Sequence, residues 1–137
     1  MLKPNKKASP ILLLLTCTLL FTVPVSSQLM HFDAPLSQLY HNGLKSLQQG
    51  DSLAAYQSIQ SAHNFEPNNV DIAFYYHLLS VALDKDYAVM QAENWLKNNS
   101  NKIYQSRLNF ELAKNFFRNQ QVDASIQAYQ KISIDDL

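Results

Sequence analysis

The stretch that decides the fold is Leu39–Pro67, LYHNGLKSLQQGDSLAAYQSIQSAHNFEP. Leu39, Tyr40, Gly43, Leu44 and Leu47 recur at helical spacing, and Leu53, Ala55, Tyr56, Ile59, Ala62 and His63 resume the same period after a break. The break, Gln48-Gln49-Gly50-Asp51, reads as a tight turn. Glycine ends a helix because it takes the left-handed conformation without strain, and Asp51 or Ser52 caps the next helix by accepting from its free N–H groups. Small residues stand where two backbones must approach: Gly43 on the first helix, Ala55 and Ala62 on the second. Pro67 closes the unit.

Working outward, Leu36 extends the first helix, with Asp33 as its cap and Pro35 in its first turn, where a missing N–H costs nothing. A third helix starts near Asn69 or Asp71 and is apolar around more than half its circumference (Ile72, Ala73, Tyr75, Tyr76, Leu79, Ala82, Leu83), as expected for a helix packed on two sides. Asp86 is expected to cap a fourth helix carrying Tyr87, Ala88, Ala92, Trp95 and Leu96. A fifth spans about Ile103–Arg118, and Asp123 opens a sixth that runs to Ile132. No run alternates with the period of a half-buried strand, so the fold class is all-α.

Alternating helices of similar length invite a repeat test. Ala55, Ala88 and Ser125, taken as equivalent, are 33 and 37 residues apart. In the last unit, FELAKNFFRNQQVDASIQAYQKI (Phe110–Ile132) gives a small residue, an aromatic pair, a polar turn, a second small residue, then Ile and Tyr. In the first, Gly43, Gly50, Ala55, Ala62 and Pro67 are spaced likewise. This pattern resembles the tetratricopeptide repeat (TPR), in particular the exported multi-repeat TPR proteins of Gram-negative envelopes. The middle unit is degenerate, with Tyr76 where the first-helix glycine is expected and no closing proline. The resemblance implies a solenoid of about three hairpins, near residues 36–68, 69–101 and 102–134 of a repeat region 35–137. Stacking follows physically, because a lone hairpin cannot bury its apolar face. No polar capping helix follows the last pair, so further repeats or self-association are expected at that end.

The resemblance further implies a concave groove lined by the first helix of each pair. Its positions fall on Tyr40, Leu44 and Leu47, then Ala73, His77 and Ser80, then Arg107, Phe110, Lys114, Phe117 and Arg118. Aromatic surface supplies buried area, and the cations offer partners for a carboxylate. The set expected to bind a protein or peptide is Tyr40, His77, Arg107, Phe110, Lys114, Phe117 and Arg118. The paired-cation clamp of chaperone-binding TPRs is not reproduced, since Glu111 stands where a second basic residue belongs.

The N-terminus reads as a leader. Lys3, Lys6 and Lys7 precede an apolar run, Ile11–Val25, broken by Pro24, and Val25-Ser26-Ser27 supplies small residues for cleavage before Gln28. That is the layout of a cleaved secretory signal peptide over 1–27, followed by a linker over 28–34. An uncleaved anchor is the alternative, against which the run is shorter than the roughly twenty residues a span requires. Lipidation at Cys17 is a third reading, weakened by Thr16 before it and by the apolar residues after it. The expected location is the periplasm or cell envelope. Cys17 is the single cysteine, so the part beyond the leader has none.

Formal net charge is zero, from 11 basic and 11 acidic residues, and removing the three leader lysines makes it slightly acidic. Nothing there attracts nucleic acid. His31, His41, His63 and His77 have no partner at helical spacing, so no metal ligand set is expected. There is no nucleophile elbow, phosphate loop or dinucleotide fingerprint. Asp51, Asp86 and Asp123 stand where helices start, which makes them caps rather than catalytic acids. The expectation is a non-enzymatic scaffold without cofactor, metal or small-molecule substrate. Its alternative is the N-terminal TPR segment of a larger envelope signalling or enzymatic protein.

Overall fold

The computed structural model describes residues 36–133 and 135, and the expected leader, linker and Asp33 cap lie outside them. Among the described residues six helices follow one another: α1 (Leu36–Gln48), α2 (Ser52–Phe65), α3 (Val70–Ala82), α4 (Ala88–Lys97), α5 (Lys102–Arg118) and α6 (Val122–Tyr129). The described chain is all-helical, as its periodicity requires.

The caps follow the local sequence in part. The Asp51 carboxylate accepts from the Ala54 N–H at 2.9 Å, and Asn69 and Asn101 cap α3 and α5 in the same way. Asp86 does not cap α4. Tyr87 occupies that position at φ 59°, and no side chain caps the helix. Asp123 lies in the first turn of α6, where its charge suits the helix dipole, but the cap position belongs to Gln121. The sixth helix ends at Tyr129, short of Ile132.

Neighbouring helices pack in sequence, and α3 also packs against α5. Ala55 and Ile59 of α2 with Leu79 of α3 form one core cluster, against which Tyr40, Leu47 and Tyr56 lie. Phe74 and Val81 of α3, Ala88 and Ala92 of α4, and Leu108 and Leu112 of α5 belong to a second. The third helix therefore feeds both clusters from opposite sides, which explains its near-continuous apolar run. Burying a side chain such as Phe74 or Ile59 contributes about 2–3 kcal/mol.

Three turns share one closure. Gly50, Asp84 and Gln120 all have positive φ, at 79°, 53° and 61°. After each, a backbone N–H returns five residues: Asp51 to Ser46 O, Lys85 to Ser80 O, and Gln121 to Phe116 O. This is the Schellman closure of a helix end. These residues are 34 and 36 positions apart, which corrects the 33 and 37 taken from Ala55, Ala88 and Ser125. Counting back seven from each reaches Gly43, His77 and Ala113, so His77 rather than Tyr76 stands at the small-residue position of the middle hairpin.

Candidate functional site

The helix closures define a recurring face on the first helix of each pair. Counting ten, six and three residues back gives Tyr40, Leu44 and Leu47 on α1, Phe74, Leu78 and Val81 on α3, and Phe110, Lys114 and Phe117 on α5. On α1 these side chains are partly covered, Tyr40 meeting the edge of Tyr75 on α3 with centroids 6.0 Å apart. On α3 Phe74 is fully buried and stacks on Tyr104 of α5 at 4.1 Å. On α5 the same face lies open: Phe110 is 39% exposed and Phe117 67%. Val122, Ile126 and Tyr129 of α6 continue it, and Phe110 meets Tyr129 edge-on at 6.0 Å.

The groove residues expected from sequence divide accordingly. Phe110, Lys114 and Phe117 share the open face, and Arg107 is exposed one turn before Phe110. The Lys114 ammonium lies 5.5 Å from the Phe110 ring centroid and pairs with Glu111 at 2.9 Å. Arg118 points elsewhere. Its guanidinium donates to the carbonyls of Val81 and Ala82 at the end of α3, a structural bond between hairpins. Ala73 and Ser80 are buried, and Ser80 donates to the carbonyl of Tyr76 on its own helix. The shifted register replaces Ala73, His77 and Ser80 with Phe74, Leu78 and Val81 at the matching places.

His77 is buried beside a second histidine that sequence spacing did not connect to it. His63 of α2 stacks on Tyr76 at 4.4 Å, and its ring centroid is 6.1 Å from that of His77. On the other side the His77 ring lies 5.7 Å from Trp95 of α4. The Nδ1 atoms of both histidines are buried without a hydrogen-bond partner. Burial, with His63 alongside, pushes the His77 pKa down to about 4, and burial lowers that of His63. Both are neutral rings at pH 7. Among the described residues no group of three or more His, Cys, Asp or Glu is placed to hold a metal ion.

A cleft of about 540 Å³ opens between α4, α5 and α6. Leu96, Leu112 and Phe116 supply apolar lining, with Glu93, Lys97 and Lys131 among its polar members. Sequence reasoning missed it because its lining comes from three helices, which spacing within one helix does not connect. What the arrangement offers chemically is exposed apolar surface, Phe110 and Phe117, with the exposed cations Arg107 and Lys114 beside it. No protein-family model matches this chain, and searches of curated proteins and of solved structures find no match either.

Proposed function

We infer that the chain is a non-enzymatic, exported scaffold of three TPR-like hairpins that holds a protein partner, with its place in the periplasm or cell envelope. The observation that carries this reading is the recurring face. Two first helices spend it on the next hairpin, and the third leaves Phe110 and Phe117 in solvent beside Arg107. An aromatic patch edged by cations is what partner surfaces favour, since aromatics and arginine supply most binding energy at buried contacts. The leader at 1–27 supports export, through its lysines, apolar run and small-residue exit. Solenoid stacking accounts for a degenerate middle unit, because neighbouring units compensate for its poorer packing.

The test is to pan a displayed peptide library on the full chain and on its Phe110→Ser/Phe117→Ser variant. The expected result is a set of sequences that bind the native chain and lose at least about tenfold in affinity on the variant. Both positions are exposed, so circular dichroism will show the fold retained. Failure to enrich any sequence, or enrichment indifferent to the double change, overturns the reading.

A further inference from the structure

The cleft between α4, α5 and α6 lies on the side of α5 that packs against the middle hairpin through Leu112. Phe110, Phe117, Val122, Ile126 and Tyr129 take no part in its lining, so the cleft and the open face share no residue. Its two ends differ in chemistry, and the helix directions show how. Gln105 donates to the carbonyl of Asn99 in the α4–α5 turn at 2.6 Å, which sets Lys97, the last residue of α4, near the start of α5. Ser133 donates its N–H to the Ser106 hydroxyl at 3.2 Å, and the Ser125 hydroxyl donates to the Ala113 carbonyl at 2.9 Å. The last hairpin is therefore antiparallel, and Lys131 reaches the same end as Lys97. Both ammonium groups stand towards Gln105, and Phe116 and Ala124 line the other end.

Charge is the first observation on what fits there. Glu93, Lys97 and Lys131 are the charged lining residues, and the ion pair found among the described residues, Lys114 with Glu111, involves none of them. Two lysines against one glutamate leave a single positive charge, which a monoanion neutralises. A free acceptor is the second. Asn109, one turn beyond Gln105, is only 7% exposed. Its amide N–H donates to the Gln105 carbonyl at 2.8 Å, while its own carbonyl oxygen accepts no hydrogen bond among the described residues. A buried amide in this state calls for a donor. Past Asn109 the α5 lining becomes apolar, with Leu112 and Phe116 on successive turns. From Gln105 to Phe116 the helix rises about 16 Å, the length of an extended N-decanoylglycine. The volume, about 540 Å³, is that of a small-molecule site.

We propose that this cleft binds an N-acyl amino acid. Its carboxylate lies between Lys97 and Lys131, its amide N–H donates to the Asn109 carbonyl, and its acyl chain covers Leu112 and Phe116 towards Ala124. The site is independent of the scaffold reading, because it uses none of the open-face residues.

Isothermal titration of the full chain with N-decanoylglycine, below its micelle-forming concentration, tests this. One saturable site is expected. N-decanoylglycinamide, with an uncharged head, and decanoyl glycolate, with an ester oxygen in place of the N–H, should each bind about tenfold more weakly. Lys97→Gln/Lys131→Gln should erase the first difference and Asn109→Ala the second. Ala124→Phe, which fills the apolar end from a partly exposed position, should abolish binding. Both lysines are exposed, so the lysine and Ala124 variants decide the outcome even if Asn109→Ala does not fold. No saturable binding up to millimolar probe, or equal affinity for the three probes, overturns the proposal. So does binding that survives Ala124→Phe but is lost in Phe110→Ser/Phe117→Ser, which places the probe on the open face. Binding that appears only after residues 134–137 are removed makes the chain's own end the occupant and overturns it as well.

Discussion

The outer hairpins and the middle one solve the same crossing differently. In the first, Gly43 lets the backbone of α1 meet Ile59 and Ala55 of α2. A Cβ built there would lie 2.6 Å from Ile59 Cγ1. In the last, Ala113 allows Ser125 to donate across to its carbonyl at 2.9 Å, tying α5 to α6. In the middle, His77 occupies that place, and α3 meets α4 through the rings of His77 and Trp95. The turn between α3 and α4 takes residues 83–87, two more than either outer turn, and α4 is short. One large residue at a close-approach position thus goes with a longer turn, a ring-filled junction and the cleft beside α4. A close-packed core has no spare room for an imidazole at a close-approach position unless its neighbours stand further off.

The largest effect that can break this comparison is at the tightest crossing. Gly43→Val should cost about 3 kcal/mol, as overpacking against fully buried Ile59 forces α1 away from α2. Urea unfolding of the full chain measures it, and adding Ile59→Ala to the valine variant should recover part of the loss relative to additivity. If Gly43→Val unfolds at the native midpoint, the crossing is not close and the contrast with His77 disappears.

The middle hairpin should respond to acid instead. The rings that meet His77, namely His63, Tyr76 and Trp95, are neutral, and the Lys85 ammonium, 5.1 Å from the centroid of the Tyr56 ring that stacks on Tyr76, is a cation. None of these groups holds a proton on His77. At pH above 6.5 the folded and unfolded chains both carry neutral His77, so its stability contribution is intact. As pH falls from 6.5 towards about 4 the unfolded chain takes the proton and the folded chain does not, so stability is lost across that window. The loss by pH 4.5 should be on the order of 2 kcal/mol, with His63 adding in the same direction. Urea midpoints at pH 7.5 and 4.5 will show it, and His77→Leu should flatten the slope. An identical slope in the leucine variant would place the acid sensitivity elsewhere.

How legible this was from sequence follows from the same contrast. Helices were readable wherever apolar residues kept one period, and the first and last hairpins were in register because Gly43, Gly50, Ala113 and Ser125 punctuate them. The middle unit misled by one residue on α3. Tyr76 and His77 are both large, so no small residue marks the crossing, and the left-handed closure is made by Asp84, which visits that conformation only occasionally, rather than by a glycine. Asp86 looked like a cap for the same reason, whereas the longer turn puts Tyr87 there. Phe110 and Phe117 were legible as one stripe of a helix by their spacing, and both are exposed. Arg118 was not, because its bonds to the α3 carbonyls depend on how two hairpins meet, which spacing within one helix does not encode. The pairing of His63 with His77 escaped for that reason too.

A smaller effect sharpens the outer hairpin. Ser125→Ala removes the donor to Ala113 O at a buried site and should cost about 1 kcal/mol. That carbonyl is also part of the α5 ladder, so its loss of one partner is tolerated better than an orphaned N–H. Thermal unfolding of the variant should give a slightly lower midpoint with unchanged helical signal. A midpoint equal to native would mean the crossing is held by packing alone, as at Gly43.

The smallest prediction concerns the closures themselves. Gly50 has positive φ with nothing within 4 Å of where its Cβ would be, so its conformation, rather than crowding, demands glycine. Gln120 has the same conformation at φ 61° and is exposed, with no glycine to relieve it. Replacing it should release about 1 kcal/mol of left-handed strain and give back part of that through the freer unfolded chain. The net gain for Gln120→Gly is about 0.5 kcal/mol, and Gly50→Ala should lose about 1 kcal/mol. Asp84→Gly should gain nothing, because the Asp84 carboxylate accepts from the buried Asn115 amide at 2.9 Å and that bond would be lost. The three closures are thus equivalent in backbone but not in what their side chains do. Urea titrations of the three variants in parallel read this out as a gain, a loss and no gain. A gain at Asp84 equal to that at Gln120 would mean that the carboxylate contributes nothing to the α3–α5 junction.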